Sequence, residues 1–302
     1  MKTIKKIDIH AHARPFKHMA PVYSRDHSFV CAEELIKFYD DLNIEKGVLL
    51  PLVSPEYHPF HITSTDCAHT AERFPDRFLW FCGIDPRSCG NKVTADFTPL
   101  LQYYKSLGAK GVGELTAQLY VDDPLMDNMF YHCAACDMPV TIDMGIQFGG
   151  CYGIVDDIGL PRLEKMLKKH KNLKILGHSQ PFWAEISSDV TQENRSGYPK
   201  GKVTEGRVAE LMREYENLYC DLSAGSGSNA MMRDPEYAAR FIEEFADRIL
   251  YGCDICQIFN TFQYDFDAFL TKLRTDGMIS EENYYKIVRG NAIKLLNLKE
   301  DE

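Results

Sequence analysis

No stretch of the 302 residues approaches the roughly 18 uninterrupted apolar residues that a membrane helix needs, so no membrane partner is expected. The amino-terminal segment also lacks the apolar core of a signal peptide. Residues 3–9 read directly as a strand, and a cytoplasmic chain is expected. Positive charge is scarce: 34 Lys and Arg stand against 44 Asp and Glu, a net charge of −10. With no basic block to track a phosphate backbone, nucleic acid is not an expected partner. No Gly-x-Gly-x-x-Gly follows a strand-like run, and no Gly-x-Ser-x-Gly elbow precedes a helix. Ala224-Gly225-Ser226-Gly227-Ser228 lacks the Lys-Ser/Thr of a phosphate-binding loop. Dinucleotide, serine-elbow and P-loop chemistry therefore fall away. The 10 cysteines are too thinly spread for a disulfide scaffold, which points to reduced thiols. Cys133/Cys136 and Cys253/Cys256 have zinc-ribbon spacing. The first pair lies inside a helical pattern, away from the second, so buried thiols are expected rather than a four-thiolate site.

What the chain does have is alternation. Short apolar, β-branched or aromatic runs occur at 4–9, 47–53, 78–84, 109–115, 140–144, 173–176, 218–222 and 249–251. Helical patterns separate them at 32–42, 64–74, 97–107, 124–137, 161–170, 207–215 and 235–246, and two more follow at 265–274 and 281–296. Strand–helix alternation requires crossovers that return the chain to the same sheet end, which makes the strands parallel. Eight repeats predict an α/β fold, a (β/α)8 TIM barrel, rather than an open sheet. No linker divides residues 1–302, so one domain is expected. Long connections after the first strand (13–31) and the sixth (179–202) would emerge on the face where barrels build active sites.

The strand ends carry the chemistry. Asp8-Ile9-His10-Ala11-His12 closes the first run, and side chains two apart on a strand share a face, so both imidazoles can grip one divalent ion. The later runs close with Glu114, Asp143, His178, Asp221 and Asp254. A barrel would gather these into one ring of His and carboxylate donors, as a water-bearing catalytic ion requires. Asp254 could bind metal and accept a proton, or cap the following segment. Glu114 could be a ligand or pair with an arginine. Asp143 could bind metal, stand behind a ligand or be structural, and Asp221 reads as structural or supporting.

Together His10-Ala11-His12, Gly113-Glu114, Gly177-His178, Gly252-Cys253-Asp254 and Gly290-Asn291-Ala292-x-x-Leu295-Leu296 resemble the amidohydrolase superfamily. More narrowly they resemble its amidohydrolase-related branch of metal-dependent decarboxylases and hydrolases, which includes aminocarboxymuconate semialdehyde decarboxylase. The resemblance runs from the first strand to the last helix. It implies a barrel with one or two divalent ions, zinc by preference. His10 and His12 would be ligands, and Asp254 a ligand, a general base or both. His178 would be a ligand, as in many hydrolases, or a proton donor, as in decarboxylases. The family usually has His at the end of strand 5, where this chain has Asp143. An oxygen donor there weakens zinc preference, and Glu114 could supply the missing ligand.

The expected activity is hydrolysis of a small amide, ester or lactone, in which the ion lowers the pKa of water towards ~7 and Asp254 takes the proton. His178, if not a ligand, would stabilise the oxyanion or protonate the leaving group. Arg14 could bind a substrate carboxylate or form a surface salt bridge, Trp183 could stack on substrate or pack the loop, and Asp143 is a further candidate substrate contact. The alternatives are non-oxidative decarboxylation of a small carboxylic acid and a non-catalytic ligand-binding barrel. The partner is a small molecule, with homo-oligomerisation left open.

Overall fold

The computed structural model describes residues 4–16, 29–57 and 61–299. Nine strands form: β1 Lys6–Ala11, β2 Ile44–Leu49, β3 Phe78–Trp80, β4 Val112–Leu115, β5 Val140–Gly145, β6 Ile154–Val155, β7 Ile175–His178, β8 Leu218–Asp221 and β9 Ile249–Leu250. All pairings between them are parallel, in the order β1-β2-β3 and β4-β5-β7-β8-β9, with the short β6 added to the end of β5. Backbone hydrogen bonds join the two groups at both edges. Cys82 N–H donates to Gly111 O and Gly113 N–H to Cys82 O, each at 2.9 Å. On the other side Ile9 N–H donates to Tyr251 O at 3.0 Å and Asp254 N–H to His10 O at 2.9 Å. Eight strands thus close into the TIM barrel.

The interior holds Ile7, Ile9, Val48, Leu50, Phe81, Leu176 and Leu250 in one apolar cluster. Strand residues facing the other way pack against the helices in a second, larger cluster. Removing both faces from water explains why the strands read as continuous apolar runs. Helices Ala32–Leu42, Ser64–Arg73, Pro124–Ala135 and Pro161–Lys169 start where the pattern places them. Proline at the first helical position suits the last two, because its missing N–H would be unpaired there anyway.

Three differences from the sequence reading bear on the site. β1 runs to Ala11, so His10 lies within the strand rather than past its end. The connection after His178 is not irregular throughout: it opens with helix Gln180–Ala184, and Phe182, Trp183 and Ile186 in this connection are buried. Phe182 fits because residue 177 is glycine; a Cβ there would overlap the phenyl ring. A helix at Ala224–Met232 also went unread, since Gly225, Ser226, Gly227 and Ser228 are poor helix formers. Much of the expected long loop after strand 1, residues 17–28, lies outside the described residues.

Candidate metal centre

Four residues of β1 (Asp8 to Ala11) stand against three of β2 (Gly47 to Leu49), an extra residue that bends the strand and re-aims its side chains. Asp8, fully buried, anchors this irregularity. Its Oδ1 accepts from His10 N–H at 3.0 Å and Cys253 N–H at 2.8 Å, and its Oδ2 accepts from the Tyr39 hydroxyl at 2.6 Å. Burial pushes the Asp8 carboxyl up to about 7. Tyr39 reaches it over Gly47, where any side chain would collide with the phenol.

Beyond the bulge His10 and His12 turn their Nε2 atoms towards each other at 3.2 Å. Both rings are held from behind. His10 Nδ1–H donates to Asp221 Oδ2 at 2.6 Å, and His12 Nδ1–H donates to the Leu50 carbonyl at 2.8 Å. Burial disfavours the Asp221 charge, but His10 beside it holds the carboxyl below its usual range, so it remains an acceptor. A carbonyl can only accept. Each neutral ring therefore spends its one proton on Nδ1, and two buried lone pairs face each other with no proton between them. This arrangement demands a cation. Without a metal the cation is a proton: burial lowers the His10 pKa, but Asp221 and Glu114 override it and raise the pKa well above the usual value.

Carboxylates complete the donor set. Glu114 Oε2 stands 3.4 Å from His12 Nε2 and 3.7 Å from His10 Nε2, and Asp254 Oδ1 stands 3.6 and 3.9 Å from the same atoms. Two constellations bring all donor atoms within 4.8 Å of one another: His10, Glu114 and His178, and His10, His12 and Asp254. Nitrogen and oxygen donors with no thiolate suit a divalent ion, so the residues present fit one. Hydrogen-bonded outer nitrogens are the usual support of metal-binding histidines. All ten cysteines are free thiols, and none enters a candidate cluster among the described residues.

His178 closes the third side. Its Nε2 is 3.8 Å from Glu114 Oε1 and 4.0 Å from Asp254 Oδ2, while its Nδ1 shares a hydrogen bond with the Ser223 hydroxyl at 3.0 Å. Burial and the neighbouring His10 lower its pKa, so it is neutral. Ser179, Ala224 and Asp254, all at strand ends around this point, adopt left-handed backbone with φ of 85°, 61° and 51°. Such conformations are held only where surrounding structure enforces them, and they cluster at functional sites.

The set opens into a cavity of about 380 Å³. Asp143 lies in its wall and shares a hydrogen bond with Glu114; burial and that neighbour raise its pKa, so it is protonated. A Cβ on residue 153 would sit 2.5 Å from Asp143 Oδ1, and Gly153 also has φ +101°, so only glycine makes room. Tyr57 and Tyr152 pack with ring centroids 4.2 Å apart and planes tilted by 36°, forming one aromatic wall, with Phe29 and Phe262 elsewhere in the lining. These aromatics come from connections between strands, where no strand-end pattern marks them.

Two expected substrate contacts stand elsewhere. Trp183 is buried beneath the cavity wall, its indole N–H donating to the Asp221 carbonyl at 2.9 Å. Arg14 is buried with its guanidinium carbon 5.9 Å from the Phe29 ring centroid, and it does not line the cavity. Asp221, by contrast, sits directly behind His10.

A closed (β/α)8 barrel with a His/carboxylate cluster at its strand ends is the architecture of a metal-dependent enzyme. The amidohydrolase family model matches residues 7–298, and the chain belongs to that family. No curated protein matches it in sequence. Among solved structures it is similar to 2,6-dihydroxybenzoate decarboxylase from Rhizobium, at 17% identity and a TM-score of 0.59, covering 98% of this chain and 99% of that one. It is also similar to 5-carboxyvanillate decarboxylase from Novosphingobium aromaticivorans complexed with manganese, at 17% identity, TM-score 0.63 and 97% and 96% coverage. A third is a probable 2-pyrone-4,6-dicarboxylic acid hydrolase from Acinetobacter baumannii with citric acid bound, at 13% identity, TM-score 0.57 and 98% and 100% coverage.

Proposed function

We propose that this enzyme is a metal-dependent non-oxidative decarboxylase of a small aromatic acid. The observation that carries this reading is the cavity itself: an aromatic wall of two tyrosines beside a His/carboxylate donor set, with Asp254 and His178 in its lining. The decarboxylases among its structural relatives lend support, and the order of the two activities expected from sequence is reversed accordingly.

His10, His12, Glu114 and Asp254 would hold a divalent ion, with His178 as the further candidate ligand. When bound, the ion acts as a Lewis acid that orients and polarises a substrate oxygen. The protein's own residues do the rest. The Tyr57–Tyr152 pair positions the ring, and Asp143, its O–H held by Glu114, leaves its other oxygen to accept from a substrate hydroxyl. Asp254 Oδ2, 4.0 Å from His178 Nε2, passes a proton to the ring carbon that bears the carboxylate. The carbon–carboxylate bond then breaks, its electron pair stays with the ring, and CO2 leaves. Asp254 regains a solvent proton, delivered by hydronium through neutral His178, which Ser223 orients. One proton is consumed and no water is spent.

Hydrolysis of a small carbonyl compound is the second reading. It is favoured by Asp254, whose side chain is 18% exposed and could take a proton from attacking water. Trapped CO2 with no hydrolysed product, lost in Asp254→Asn, is the outcome expected for decarboxylation. Product formation with uptake of water and no CO2 overturns it. His10→Ala is expected to lose bound metal and activity together.

A further inference from the structure

Four side chains of the donor set are each held by a partner that aims them. Asp221 holds His10, the Leu50 carbonyl holds His12, Ser223 holds His178, and Asp143 bonds Glu114. Asp254 needs the same help, because the torsion that spins a carboxylate's two oxygens is broad and roughly two-fold. We propose, on the footing of the decarboxylase reading, that Cys256 is the positioning residue of Asp254: its thiol donates to Oδ1 and leaves Oδ2 turned to His178.

Cys256 Sγ lies 3.0 Å from Asp254 Oδ1. An ionised carboxylate has only lone pairs to offer, so the thiol is the donor. The same oxygen faces Nε2 of His12 and His10 at 3.6 and 3.9 Å, whereas Oδ2 stands 4.0 Å from His178 Nε2. A donor on Oδ1 therefore makes the two oxygens unequal. It commits Oδ1 to the side of the His pair and leaves the mobile proton to Oδ2. The turn that carries the thiol is fixed by three hydrogen bonds. Cys256 N–H donates to Asn260 Oδ1 at 3.0 Å, Gln257 N–H donates to that oxygen at 2.8 Å, and Cys256 O accepts from Val30 N–H at 2.8 Å. Asp254 is pinned in turn by its own N–H, which donates to His10 O. Both ends of the S–H···O contact thus rest on fixed backbone. Cys256 lines the cavity and is only partly buried, so its sulfur is not there to fill the core.

The test uses the full chain with manganese, 2,6-dihydroxybenzoate as the substrate probe, and three variants. Cys256→Val keeps the volume without a donor, Cys256→Ala removes both without a clash, and Cys256→Ser keeps a donor. Loss of a group that orients a metal ligand costs about 10- to 100-fold in affinity or activity, and a thiol is a weak donor, so the lower end applies. The Val and Ala variants are expected to bind manganese about 10-fold more weakly in chelator competition, with Ser within about 3-fold of wild type. The kcat for CO2 release is expected to follow the same order with KM little changed. A space-filling role predicts the opposite order, Val above Ser. Undiminished metal affinity in Val and Ala overturns the proposal, and so does a Ser variant no better than Val. Metal affinity is read without turnover: if Ser alone preserves it and no form releases CO2, the decarboxylase reading falls and the positioning of Asp254 stands. A wild-type protein that takes up no manganese overturns both.

Discussion

Asp221→Asn is the most informative single substitution, because it is nearly isosteric and removes a charge that touches His10 but not the cavity. In the wild type Asp221 Oδ2 receives the His10 proton at 2.6 Å, fixing the Nδ1–H tautomer and leaving Nε2 as a ligand. Replacing a carboxylate behind a metal-binding histidine weakens metal affinity by about 10- to 100-fold, or roughly 1.4–2.7 kcal/mol. A proton works against part of this. Asp221 and Glu114 raise the His10 pKa in the metal-free protein, so an ion must displace a proton when pH lies below that value. Wild-type affinity therefore falls as pH drops through the His10 pKa. In the variant the pKa is lower, and the fall begins at lower pH. The affinity gap is widest at the alkaline end, above the raised wild-type pKa, and narrows as pH falls through that value. The linked stability term has a matching sign. A raised histidine pKa stabilises the metal-free fold fully below the unfolded value and is lost as pH rises through the folded one, so Asp221→Asn removes stability mainly at low pH. Competition with a chromophoric chelator across this range, with thermal melts of the chelated proteins, measures both. Equal affinity at the alkaline end, or a gap that widens on acidification, refutes the reasoning.

Trp183→Phe keeps an aromatic ring in the buried site but removes the donor to Asp221 O, so it should cost about 0.5–1.5 kcal/mol in urea unfolding with KM unchanged; a raised KM at unchanged stability would restore the stacking role. Tyr39→Phe strips the buried Asp8 Oδ2 of its only hydroxyl donor and is expected to destabilise by roughly 1–3 kcal/mol, read as a lower melting temperature in the chelated protein. Gly153→Ala places a methyl against Asp143 Oδ1 at a positive φ and should cost more than ~1 kcal/mol, with a larger loss in kcat/KM than in stability because Asp143 is displaced from the cavity wall; an active, fully stable variant would show that this cradle is dispensable.

Much of the barrel was legible because parallel strands buried on both faces leave apolar runs that helices interrupt at regular intervals. Strand ends then located the chemistry: His10, His12, Glu114, Asp143, His178, Asp221 and Asp254 all come together at one end of the barrel. What stayed hidden depends on geometry that periodicity does not encode. Tyr57 and Tyr152 lie about a hundred positions apart in two different connections, and only folding brings their rings into contact. Trp183 has the composition of a loop aromatic facing substrate, but Gly177 opens a space for its neighbour Phe182, and both rings turn inward. The bulge in β1 is likewise silent in sequence, since Asp8 looks like one more member of the His pair's face. Its real task is to tie β1, the chain at Cys253 and the Tyr39 phenol together behind the site.

The departure at Asp143 bears on the choice of ion. An imidazole at the end of β5 would add a nitrogen donor and no charge. Asp143 instead leans on Glu114, and the pair shares a proton in the metal-free protein. With His10 and His12 as the nitrogen core and Glu114 and Asp254 as the carboxylates beside them, the donor set is balanced between nitrogen and oxygen before any substrate oxygen is added. Each further oxygen moves it away from tetrahedral, nitrogen- and sulfur-favouring zinc towards a higher-coordinate ion such as manganese. A hydrogen bond from Asp143 also draws electron density from Glu114, which weakens that donor and would leave a bound ion more Lewis acidic towards a substrate oxygen.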